Sequence, residues 1–76
     1  MAKVQFSGKA IKKMEDSNLS EKKVLDAYKG GDEQKWSNGK GFNSVKKYPG
    51  YEIGVAYFKN DEGTSIITSV WKRKRR

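Results

Sequence analysis

Neither cysteine nor histidine occurs in this chain of 76 residues, and proline occurs once. Without cysteine there is no disulfide staple, no thiolate nucleophile and no cysteine-ligated metal. Without histidine the usual acid–base group near neutral pH and the commonest metal ligand are gone. Zinc chemistry and Ser-His or Cys-His catalysis are thereby excluded. Long apolar runs are missing too. No stretch approaches the ~18 residues of a membrane span, and residues 1–6 lack the apolar core of a signal peptide. These absences lead us to expect a soluble, cytoplasmic protein that uses no cofactor and meets no membrane.

Acidic residues are scarce, nine against 17 Lys and Arg, for a net charge of +8. Six of the nine come as neighbours, Glu15-Asp16, Asp32-Glu33 and Asp61-Glu62. Adjacent carboxylates point to different faces, so they make poor acid–base pairs, and no metal site is expected. Gly30-Gly31 and Gly39-Lys40-Gly41 lack the spacing of a phosphate-binding loop.

What is abundant is positive charge at the end of the chain. Trp71-Lys72-Arg73-Lys74-Arg75-Arg76 sets five cations in a row behind an aromatic ring and holds every arginine of the protein. Like charges repel, so a packed fold gains nothing by collecting them. A surface that meets a polyanion does. The plainer alternative is a solvated tail.

The rest of the chain predicts one α+β domain over residues 1–76, with 72–76 as a basic C-terminal tail. Val4 and Phe6 alternate with polar residues, as in a short strand. Ser7 can cap a helix whose Ala10, Ile11 and Met14 share one side and whose Lys9, Lys12 and Lys13 share the other. Ser20 caps a second helix, stapled by Leu19 and Val24 and stopped at Gly30-Gly31. Four strands are expected beyond it: 32–37, 40–48, 51–58 and 64–71. Asn38-Gly39, Pro49-Gly50 and Asn60 to Gly63 supply the turns. Val45 and Tyr48 break strict alternation, which predicts a bulge in the second of these strands. In the last two, apolar residues occur on both faces, which places them centrally. The resulting order is β-α-α-β-β-β-β, two helices on one face of a mostly antiparallel sheet of about four strands.

Three basic groups could converge on such a scaffold: Lys9, Lys12 and Lys13; Lys46 and Lys47; and Lys72, Arg73, Lys74, Arg75 and Arg76. Together they would grip a phosphate backbone, with Tyr48, Tyr57 and Trp71 near enough in sequence to stack on unpaired bases. For any single lysine, a solvated face is the competing reading; for the aromatics, it is core packing.

The stretch from Phe6 to Ser20 also resembles the opening of a family of short bacterial domains whose pattern runs Phe-Ser-x-His-Ala-x-x-Arg-Met-x-x-Arg-Gly-Ile-Ser. Val24, Ala27-Tyr28 and Ile66-Ile67-Thr68-Ser69-Val70-Trp71 fall where that pattern continues. The family is similar to RelE-like and BrnT-like toxins. The resemblance implies a RelE-like fold that cleaves RNA without metal and is restrained by an antitoxin. Among its departures from the pattern, Lys9 stands for the family's histidine, and Lys13 and Ser17 for its two arginines. Lysine binds phosphate but is a poor base at neutral pH unless desolvated. Catalysis would then rest on Lys9, Tyr57 and Arg73, with Arg75 nearby, or this member only binds. The expectations carried forward are an RNA-binding, RNase-like protein and, as the alternative, a non-catalytic domain that docks an acidic protein.

Overall fold

The structure is a computed structural model that describes residues 3–37 and 39–74. Arg75 and Arg76 of the basic run, and Asn38 of the first expected hairpin turn, lie outside the described residues.

Strand β1 (Val4–Phe6) leads into helix α1 (Gly8–Asp16). Ser7 holds an extended conformation and its Oγ accepts the Ala10 N–H at 3.1 Å, satisfying one of the free donors of the first turn. Asn18, at φ 55°, turns the chain out of the helix. Helix α2 (Glu21–Gly30) repeats the device, with Ser20 Oγ accepting from Lys23 N at 3.2 Å and Glu21 in the first turn. Strands β2 (Asp32–Lys35), β3 (Phe42–Tyr48), β4 (Tyr51–Lys59) and β5 (Ser65–Lys74) follow.

The sheet has five strands in the order β1-β5-β4-β3-β2. This corrects the expectation of about four. Val4–Phe6 adds an edge strand, and it pairs parallel to β5, with Phe6 beside Ile67, while the other neighbours are antiparallel. Strand β5 runs on to Lys74, so the first three residues of the expected tail are sheet.

Both helices pack on one face. Ala10 and Met14 of α1 and Val24 and Ala27 of α2 close over Ile53, Val55, Tyr57, Ile67 and Val70. Burying these side chains supplies the main stabilisation of a chain this short. Ile11, expected on the core side of α1, is instead 45% exposed.

No bulge occurs at Val45 or Tyr48. Phe42, Ser44, Lys46 and Tyr48 occupy the helix side in unbroken alternation with β4. Ser44 is buried because its hydroxyl has work there: Oγ reaches the carbonyls of Ala27 (2.9 Å) and Tyr28 (3.1 Å) at the end of α2. The register shift falls between β4 and β5, where Ala56 pairs with Ser69 but Tyr57 with Ile67. The extra residue, Thr68, moves the alternation by one. Ile67 and Val70 therefore share the core face, and Ile66, Ser69 and Trp71 share the other. Among the described residues, no helix covers that second face.

Candidate nucleic-acid interface

The turn between β3 and β4 and the end of β5 meet at one end of the sheet, since Tyr48 pairs with Tyr51 and Tyr51 with Lys74. The two tyrosine rings stack there, centroids 5.0 Å apart and planes 12° apart. Three ammonium groups converge on them. Lys23 Nζ, from α2, sits 4.5 Å from the Tyr48 centroid and donates to Tyr51 Oη at 3.1 Å. Lys46 Nζ lies 5.3 Å from the Tyr48 ring, and Lys72 Nζ 4.8 Å from the Tyr51 ring. Each cation faces the electron-rich side of an aromatic quadrupole, a contact worth about 0.5–1 kcal/mol where water reaches it.

Asp26, one helical turn beyond Lys23, anchors the group. Its Oδ2 accepts from Lys46 Nζ at 2.8 Å and from Tyr48 Oη at 2.6 Å. The Lys46 hydrogen bond, then that of Tyr48, holds the Asp26 carboxyl below the usual aspartate range. Tyr48 is pushed up to about 12, first by burial and then by its bond to that carboxylate. At neutral pH the pair is therefore a phenol and a carboxylate. The carboxylate fixes the Lys46 head and the tyrosine ring, while Lys23 and Lys72 approach the rings from other elements.

On the opposite side of the same sheet end, Lys47 pairs with Glu52 and Glu52 with Arg73. Lys47, Arg73 and Lys74 are exposed. One end of the sheet thus gathers Lys23, Lys46, Lys47, Lys72, Arg73 and Lys74, with the carboxylates of Asp26 and Glu52 among them. Lys46 and Lys47 share this end of the sheet with Lys72, Arg73 and Lys74 of the C-terminal run. Lys23 and Tyr51, neither of them among the sequence's candidate residues, join them.

The other candidate residues are placed elsewhere. Lys9, Lys12 and Lys13 are exposed on α1 and line a shallow depression of their own with Asp16. Tyr57 is 2% exposed and belongs to the core. Its ring meets Tyr28 edge-on at 4.8 Å and stacks with Phe42 at 5.5 Å, and its hydroxyl donates to Glu33. Burial, and then the Glu33 bond, raise its pKa above the ordinary phenol value. Lys9, Tyr57 and Arg73, joined as a catalytic set only by the resemblance, are thus dispersed over a helix surface, the core and the uncovered side of the sheet.

Trp71 lies on the uncovered face, directly over Gly54, its partner across the β4–β5 ladder. Among the described residues, no group of three or more acidic side chains could hold a metal ion, and no helix is long and apolar enough to cross a membrane. No protein-family model, curated protein or solved structure matches the chain.

Proposed function

We propose that the protein binds RNA, holding its phosphates at the lysine–tyrosine end of the sheet. The observation that carries this reading is the convergence of Lys23, Lys46 and Lys72, from three separate elements, on the stacked Tyr48–Tyr51 pair. Asp26 offsets one of those charges. Cations held at fixed positions can exchange for the counterions of a nucleic-acid backbone, and that release drives binding.

The resemblance to RelE-like toxins would add RNA cleavage. The chemistry at this end supports binding more than cleavage. Tyr48 stays protonated well above neutral pH, and Asp26 is ionised but already bound to Lys46 and Tyr48. Neither is poised to exchange protons near pH 7, where a general base works best. Lys23 and Lys72 can stabilise a phosphorane charge, which is electrostatic help without a base.

The test is a salt titration of RNA affinity. With about four to six phosphate contacts, log K should fall with log salt at a slope of roughly −3 to −4 for a single strand. Lys72→Ala should flatten that slope by about 0.7 to 1. A flat dependence, or one that Lys72→Ala leaves untouched, would remove this reading. Incubation with RNA in EDTA separates binding from metal-free cleavage. Capture of an acidic protein that survives nuclease treatment, with no RNA affinity at low salt, would favour the protein-docking alternative.

A further inference from the structure

The face of the sheet without helices carries a second pattern. Alternation and register put four rows of side chains on it. The first runs from Trp36 through Gly41 and Phe58 to Ile66. The second is Gln34, Asn43, Ala56 and Ser69. The third is Asp32, Val45, Gly54 and Trp71, and the fourth is Lys47, Glu52 and Arg73. Charge lies in the fourth row and, at the β2 edge of the third, in Asp32, and the centre of the face is uncharged.

Both tryptophans of the protein are on this face, and each ring covers a glycine, Gly41 just before β3 and Gly54 in β4. A Cβ on Gly41 would come within 2.5 Å of Trp36 Cε3 and Cζ3, and one on Gly54 within 2.5 Å of Trp71 Nε1. Trp36 Nε1 is further pinned by donating to Asn43 Oδ1 at 2.8 Å. With a glycine beneath it, an indole can lie down on the sheet rather than stand off it. Trp36, Phe58 and Trp71 are each half-buried, so part of every ring stays open to solvent.

We propose that this face is a stacking platform for the unpaired bases of a single-stranded nucleic acid, with Trp36, Phe58 and Trp71 each taking one base. The inference rests on the nucleic-acid reading above and deepens it, because the rim that holds phosphate borders the platform. Arg73 is one same-face position beyond Trp71 on β5. Three features choose this occupant. The net charge of +8 repels a second copy of the chain and attracts a polyanion. An acidic peptide would need cations across the face, yet its middle bears amides and apolar groups. A duplex hides its base faces and gains nothing from flat indoles, whereas every unpaired base has a π-face to stack. With strands ~4.8 Å apart and same-face residues ~6.8 Å apart, Trp36 and Trp71 are on the order of 20 Å from each other, with Phe58 between them. That track suits a short extended segment of chain.

The experiment is a titration of intrinsic tryptophan fluorescence with a 12-nucleotide RNA, the DNA of the same sequence, and the RNA duplex of equal length. Single strands of either sugar should quench the emission and bind at least about tenfold tighter than the duplex. Trp36→Leu and Trp71→Leu should each weaken single-strand affinity by roughly fivefold to a hundredfold. Ser69→Glu puts a carboxylate in the middle of the face without removing a packing contact, so it should weaken binding while leaving the melting temperature near that of the parent. Equal affinity for duplex and single strand, together with unchanged affinity of Ser69→Glu, would overturn the platform and leave phosphate binding at the rim intact. Absence of binding to any of the three at low salt would overturn both. A dimer that Ser69→Glu dissolves and that RNA does not compete away would make the face a self-interface and overturn the platform alone.

Discussion

Replacing Gly54 by alanine probes the seat of Trp71 most directly. A Cβ at position 54 would overlap Trp71 Cε2 and Cζ2 and lie 2.5 Å from Nε1. The indole is rigid beyond its two torsions, so it must swing aside rather than yield. Overpacking of this kind costs about 1–3 kcal/mol. If the ring lifts off and exposes about 100 Å² more apolar surface, transfer bookkeeping gives about 2.5 kcal/mol, which agrees. Against this, glycine in a strand is itself about 0.5–1 kcal/mol unfavourable relative to alanine. The net expectation is a loss of about 1–2 kcal/mol. For a domain of this size that lowers Tm by roughly 4–16 °C.

The assay is a thermal melt followed by circular dichroism, with tryptophan emission recorded before the transition. Gly54→Ala should melt lower and emit further to the red as Trp71 leaves the sheet. Gly8→Ala is the control: its Cβ meets nothing within 4 Å at the start of α1, and the change should raise Tm slightly by restricting the unfolded chain. A Gly54→Ala protein with undiminished Tm and unshifted emission would mean that Trp71 does not lie over β4, and the platform would lose its best-defined ring.

Tyr57→Phe keeps the core ring and removes only the hydroxyl bound to Glu33, so urea denaturation should show a loss of about 1 kcal/mol, and RNA affinity should not change. Because Tyr48 titrates near 12 in the fold against about 10 unfolded, the folded state binds more protons between those values. Tm should therefore decline as pH rises from 10 toward 12, and Tyr48→Phe should blunt that decline; equal alkaline profiles would refute the assignment. Asp26 works in the other direction: its depressed pKa adds stability that is present above the usual aspartate range and is lost as pH falls through its folded value, so Asp26→Asn should flatten the acid limb of the stability curve. Net repulsion among eight uncompensated charges predicts that moderate salt raises Tm, and a fall on adding salt would contradict it.

Local signals in the sequence were reliable where the physics is local. Ser7 and Ser20 announce helix starts because their hydroxyls satisfy donors within the next turn. β4 and β5 read as central because both faces of each need cover. The parallel pairing of β1 with β5 joins residues about sixty positions apart, and three residues carry no mark of their partner. The misread bulge has a similar cause. Ser44 counts as polar and therefore outward-facing, yet the carbonyls of Ala27 and Tyr28 make the inside its better environment. At the candidate site, Lys46 and Lys72 could be picked out by their neighbours in the basic groups. Lys23 could not, since only the packing angle of α2 brings it over Tyr48.

Helices on one side and none on the other give the two faces of the same strands different tasks. On the covered face, β4 and β5 must fill space, so Ile53, Val55, Ile67 and Val70 are branched and buried. On the open face the same strands carry Gly54 and Ala56, too small to fill anything, beneath or beside broad rings. A sheet needing only stability would place β-branched residues there, because they pack well on a pleated surface. Small residues under flat aromatics give up some of that stability and leave a smooth, partly wetted surface next to a cationic rim. The Thr68 insertion makes this possible. Without that one-residue shift, Trp71 would share a face with Ile67 and point into the helices, and the open side would lose the ring nearest to Arg73.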